Sequence, residues 1–269
     1  MVNKYLVAAF ALLAAASIPA HADSVNLLVD DASGVLGYVN VDTGAVTLLG
    51  NSGVGLTDIA FSPTGSLYGV DFSNLYSINT TTGHASEIGS LGDVSNALVF
   101  SSSGTLYSAG NNLDTVDPAT GHATIIGSLT ETSAGDLAFV GGQLYLATSS
   151  NQLAILNAAT GAETIVGNTG VANLFGLASP DGKTLYGVAG TDVYLIDTST
   201  GAATFLTNYG GHGLGQANGE SFLSEAQTPP PSAVTPEPST WVLLASGLLF
   251  LVMIARSNTV TKMTTKTVS

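Results

Sequence analysis

The sequence contains no cysteine, so disulfides, thiolate nucleophiles and cysteine-built zinc sites are excluded. It is almost as poor in basic residues: five Lys+Arg stand against 19 Asp+Glu, a formal net charge of −14. The five are Lys4, Lys183, Arg256, Lys262 and Lys266, which leaves Lys183 as the one base between residues 23 and 255. So acidic a body repels nucleic acid and anionic membrane, and no nucleic-acid partner is expected. Aromatic residues make up 7% of the chain, few for a carbohydrate-active enzyme that stacks sugars. No G-x-S-x-G elbow, H-E-x-x-H motif or P-loop is present. Gly210-Gly211-His212-Gly213-Leu214-Gly215 is Gly-rich, but it lacks the strand-then-helix context of a phosphate cradle and reads as a flexible connection. The expectation from these absences is a protein that is not an enzyme.

What is abundant is glycine, 32 residues, with Ser, Thr, Asn and Asp crowded between short apolar runs. That punctuation argues for an all-β fold. Internal repeats make the argument specific. Thr-Gly occurs at Thr43-Gly44, Thr82-Gly83, Thr120-Gly121, Thr160-Gly161 and Thr200-Gly201, with successive spacings of 39, 38, 40 and 40. Leu-Tyr recurs at Leu67-Tyr68, Leu106-Tyr107, Leu144-Tyr145 and Leu185-Tyr186. An aliphatic-Ala/Val-Phe element appears at Ile59-Ala60-Phe61, Leu98-Val99-Phe100 and Leu137-Ala138-Phe139, weakening to Leu177-Ala178-Ser179. One period holds four strand candidates, in the second unit Thr57 to Phe61, Leu67 to Asp71, Leu75 to Asn79 and His84 to Ile88. Four short strands every 40 residues or so are the signature of a β-propeller blade. The first unit lacks its opening strand and begins at Asn26 to Asp30, aligned with Leu67 to Asp71; the chain supplies the missing strand near Gly219 to Leu223. The expectation is five four-stranded blades, the closing blade built from both ends of the domain, with an open β-solenoid as the alternative. The pattern resembles NHL- and WD-type propellers over residues 26–223, a likeness that transfers no activity.

The two ends read as addresses. Lys4, the apolar run Tyr5 to Ile18 and the A-x-A site Ala20-His21-Ala22 make residues 1–22 a secretory signal peptide, predicting export and cleavage by signal peptidase. Residues 23–225 are the propeller, and 226–234 a Pro-rich linker. Trp241 to Ala255 is an apolar run of 15 residues ended by Arg256, about 22 Å as a helix and so a short transmembrane helix. Pro236-Glu237-Pro238 before that helix and Arg256 resembles the PEP-CTERM sorting signal over residues 235–256, followed by a polar tail, 257–269. The resemblance implies an exosortase partner, membrane attachment through the helix before processing, and a Gram-negative host that makes extracellular polysaccharide. The expected location is the cell envelope, the outer surface or the matrix.

Asx residues before each Thr-Gly (Asp42, Asn79, Asp117, Asn157 and Asp197) read as turn starters rather than calcium ligands. His84, His122 and His212 read as surface residues. The connections from fourth to first and second to third strands vary between units and share one face of a propeller. They carry Asp30, Asp31, Asp71, Asp93 and Asn112, while Asp58 and Asp136 start inner strands near the channel mouth. Variable loops on a rigid scaffold are where binding resides. This set is the candidate ligand-binding face, for polysaccharide or a surface protein, with Ca²⁺ as a candidate ion and no cofactor otherwise implied. Asp58 and Asp136 would also be the paired carboxylates of a glycosidase reading.

Overall fold

Nineteen strands and no helix make up residues 25–227, the part of the chain that the computed structural model describes. The segments expected to be a signal peptide, a sorting signal and a tail, and most of the expected Pro-rich linker, lie outside the described residues. The first unit contributes β1 (Asn26–Asp31), β2 (Val35–Asn40) and β3 (Val46–Asn51). The second contributes β4 (Asp58–Phe61), β5 (Leu67–Val70) and β6 (Phe72–Ile78), and β7 (Ala85–Phe100) runs on into the third, which adds β8 (Leu106–Gly110), β9 (Asn112–Val116) and β10 (Ala123–Ser128). The fourth holds β11 (Ser133–Val140), β12 (Gln143–Thr148), β13 (Gln152–Leu156) and β14 (Glu163–Asn168), and the fifth β15 (Leu174–Ala178), β16 (Leu185–Ala189), β17 (Asp192–Ile196) and β18 (Ala203–Asn208). β19 (Ala217–Ser221) is last.

All pairings are antiparallel meanders, and β19 pairs with β1 to complete the sheet β19-β1-β2-β3. The N- and C-terminal fragments of the repeat thus complete one another, which removes two exposed edges. The units do not all separate, however: three sheets have four strands, and one has seven because β7 serves two units. The other units bend at this connection, as at Ser52, whose hydroxyl donates to the Val54 carbonyl at 2.6 Å. In β7 the connection stays extended, and the ladder continues through the pairing of Phe72 with Ser95.

The cross-strand register corrects two alignments. Leu27 stands opposite Val39 as Leu67 stands opposite Ile78, so Leu27 to Asp31, not Asn26 to Asp30, matches Leu67 to Asp71. The first turn starter is likewise Asn40, not Asp42: its Oδ1 accepts from the Asp42 and Thr43 amides at 3.1 and 2.9 Å. The slip arises because Asp42 also stands near Thr-Gly, and only the register separates them.

Each unit buries its faces against its neighbours. Leu28, Leu36, Leu56 and Ile59 pack units one and two; Leu75, Leu98 and Leu106 pack two and three; Val99, Leu113 and Leu137 pack three and four. Leu153, Leu174 and Leu177 pack four and five, and Leu27, Val39, Val188 and Val193 pack five and one. The repeat markers are the contacts that join units. Tyr68 meets Phe100 with ring centroids 5.3 Å apart, Tyr107 meets Phe139 at 5.7 Å and Tyr186 meets Phe222 at 5.5 Å, each across a unit boundary. Outer-strand Gly50, Gly89, Gly127 and Gly167 lie so close to the next unit's Thr-Gly turn that a Cβ would collide with its carbonyl. The inner strands adjoin in the order β4, β7, β11, β15, β19 and back to β4. The architecture is all-β and propeller-like.

Candidate functional site

Five carboxyl side chains gather where the inner strands meet. Asp30, Asp58 and Asp136 have no exposed surface, Glu220 is buried and Glu225 half-buried. Asp58 Oδ1 accepts from its neighbour Ile59 N–H at 2.7 Å, and its Oδ2 from Leu98 N–H of the next unit at 2.5 Å. Asp136 repeats this with Leu137 at 2.6 Å and Leu177 at 2.8 Å. Each carboxyl thus ties its own inner strand to the following one. Burial away from water pushes both well above the ordinary carboxyl range, as it does for Asp30 and Glu220, and mutual repulsion adds to the shift. The Asp58 and Asp136 carboxyls repel each other when both are ionised, which raises Asp136 further. Burial brings Glu225 up to about 8, against hydrogen bonds from Ser179, Ser221 and Phe222. Asp31, Asp71 and Asp93 brace loops instead. Asp31 accepts from the Ser33, Val35 and Gly215 amides at 2.8, 2.9 and 2.7 Å, so the Gly-rich segment is tied down rather than loose. Burial opposes ionisation of Asp31, but these bonds and the Ser33 hydroxyl outweigh it and hold the carboxyl below its usual range. Asp71 is held low in the same way by Tyr76, Asn74 and Ser73 against its burial. Asp93 accepts from Asn112 Nδ2 at 2.7 Å.

The anticipated binding set therefore divides. Asp30, Asp58 and Asp136 lie inside, not at a solvent-facing mouth, because the start of each inner strand is pressed against its neighbours: a Cβ on Gly219 would collide with Asp58. Asp31, Asp71, Asp93 and Asn112 sit on the connections but spend their oxygens or amide on local bonds. Among the described residues no group of three or more His, Cys, Asp or Glu is placed to hold a metal, and the residues do not fit a Ca²⁺ site. His84, His122 and His212 are exposed and apart.

A cavity of about 240 Å³ opens at the mouth instead. Thr57, Asn96, Gly135, Phe175 and Asn218 line it, together with Ala134 and Phe72. The first five occupy one equivalent position, one from every unit: Thr57, Asn96, Gly135 and Phe175 each stand two residues before an apolar core residue of the inner strand, and Asn218 two residues before the buried Glu220. Phe72 leans over the cavity half exposed, with φ at 80°, a conformation foreign to an aromatic residue. Asn96 donates weakly to the Ser133 carbonyl at 3.4 Å and its Oδ1 has no partner; Asn218 donates to the Leu56 carbonyl at 2.8 Å. The sequence reading missed all of these. The aligned repeats do not single them out: this position holds Thr, Asn, Gly, Phe and Asn, but the residue after it varies as well, as Asp58, Ala97, Asp136, Gly176 and Gly219. A larger hollow, about 780 Å³, lies at the unit five and unit one boundary beside Val25, Pro180 and Phe222, away from these groups.

No protein-family model matches the chain. No curated protein matches it either. Solved structures do. A chain of a nidogen/laminin complex is 16% identical, with a TM-score of 0.51, covering 76% of this chain and 87% of that one. A chain from work on the de novo evolutionary emergence of a symmetrical protein is 18% identical, with a TM-score of 0.47, covering 75% of this chain and 95% of that one. The first likeness shows the fold alone, a β-propeller-like arrangement.

Proposed function

We propose that this protein is an exported surface or matrix component of a Gram-negative bacterium, whose five-bladed propeller binds extracellular polysaccharide. Export rests on the signal peptide ending at Ala20-His21-Ala22, and sorting by an exosortase on Pro236-Glu237-Pro238 with the apolar run and Arg256. The blade count rests on five Thr-Gly units and the cyclic order of the inner strands. The observation that carries binding is the mouth cavity, to which every unit gives a residue at one equivalent position, no two neighbouring units giving the same one, with Phe72 and Ala134 besides. A repeat breaks its own rule where a ligand, not packing, sets the residue.

A glycosidase reading has less support. Paired catalytic carboxyls stand about 5–9.5 Å apart and touch substrate, whereas Asp58 and Asp136 accept from backbone amides and have no exposed surface. A binding role without turnover fits better. The test is a polysaccharide-binding screen of the purified protein, run with Ca²⁺ and with chelator. Binding that survives chelation is expected. Absence of binding to any glycan would remove this reading and leave a structural surface protein.

A further inference from the structure

We infer that the mouth cavity is a subsite for one uncharged sugar ring, laid against Phe72 and Phe175 and hydrogen-bonded by Thr57, Asn96 and Asn218. This deepens the polysaccharide reading and rests on it. About 240 Å³ lies below the roughly 300–1,000 Å³ of sites for drug-sized ligands and suits a single ring of a longer chain. A pyranose has an apolar C–H face and an equator of hydroxyls. The cavity offers two aromatic rings for the first, and two amides and a hydroxyl for the second. The amides have capacity to spare: Asn96 Oδ1 is unbonded, and each side chain shows one protein bond.

Phe72 gives the strongest indication. A half-exposed Phe at positive φ carries backbone strain and gains little from burial. Glycine would hold the same turn without strain. An aromatic ring held there against its own backbone preference is a ring placed for contact. Charge selects the class of sugar. Asp71 immediately precedes Phe72, and Asp93 lies on the connection that Phe72 pairs with. No base faces them, since Lys183, the one base of the described residues, sits in the turn between β15 and β16. A uronate or sulfated ring would meet carboxylates without an Arg or Lys to pair with.

The test measures binding of the purified protein to neutral malto- and cello-oligosaccharides, to oligogalacturonate and to a glucosamine oligomer. Variants Phe72→Ala and Phe72→Gly accompany it, with melting curves for each. The expected result is binding of a neutral oligomer that falls at least about tenfold in both variants, while Phe72→Gly melts no lower than the parent. Neutral binding unchanged in both variants would overturn the subsite and leave the polysaccharide reading standing. Tighter binding of oligogalacturonate, or of the glucosamine oligomer alone with no effect of Phe72, would overturn it too. Silence across every glycan would remove the subsite and the reading together.

Discussion

Asp58 and Asp136 look alike in sequence and act alike in the fold: each carboxyl holds the N–H of its own neighbour and that of the next inner strand. The lone acidic residue at a strand start was legible; its inward direction was not, because the backbone amide it serves lies 40 or 41 residues away. Asp58→Ala leaves two buried donors without partners, at a cost of about 1–3 kcal/mol for each. Chemical denaturation should therefore show a loss of at least about 2 kcal/mol, and Asp58→Asn, which keeps an acceptor, a smaller one. Equal stability of Asp58→Ala and the parent would mean that these bonds do not brace the hub. Glu220 escaped the reading altogether, since it stands in a strand whose partner, β1, is nearly two hundred residues earlier.

At the scale of elements, the outer strands show why the Thr-Gly marker repeats. Gly89 in β7 lies against the Thr120 carbonyl of the next unit's turn, and Gly50, Gly127 and Gly167 repeat the contact. The register of each outer strand shifts beside this glycine, the mark of a β-bulge. Gly89→Ala forces two backbones apart and should cost about 1–3 kcal/mol, as overpacking does. Gly55, with open space around it, serves as the control: Gly55→Ala should be neutral or stabilise by up to about 1 kcal/mol. Equal effects of the two would refute the close approach. The period, the strand count and the closure by β19 were all readable from the markers. The fusion of two units through β7 was not, because it depends on whether one connection bends.

The whole molecule is a ring of apolar interfaces around carboxyls that have no basic partner. Asp30, Asp58, Asp136 and Glu220 are all raised, with burial as the first cause, and Glu225 stands at about 8. A group raised in the folded state adds stability below its unfolded pKa, near 4, and loses it as pH rises through the folded value. Asp31 and Asp71 act oppositely, losing their contribution as pH falls below about 4. Stability should thus peak in mild acid and decline from about pH 5 through about pH 8. Glu220→Gln should flatten that decline in melting curves taken across the range. A melting temperature that climbs steadily from pH 5 to 9 would contradict the uncompensated cluster. Most of the architecture could be read from periodicity, yet the mouth cavity could not, because it is made of the residues that break the period.

The most direct test of this account is a crystal structure of the protein with a neutral oligosaccharide bound. The account predicts one sugar ring in the mouth cavity, its C–H face against Phe72 or Phe175 and its hydroxyls on Asn96, Asn218 or Thr57. A sugar seated elsewhere, in the hollow beside Val25 and Phe222 or along the exposed outer-strand residues Leu48, Ile125 and Phe205, would contradict it.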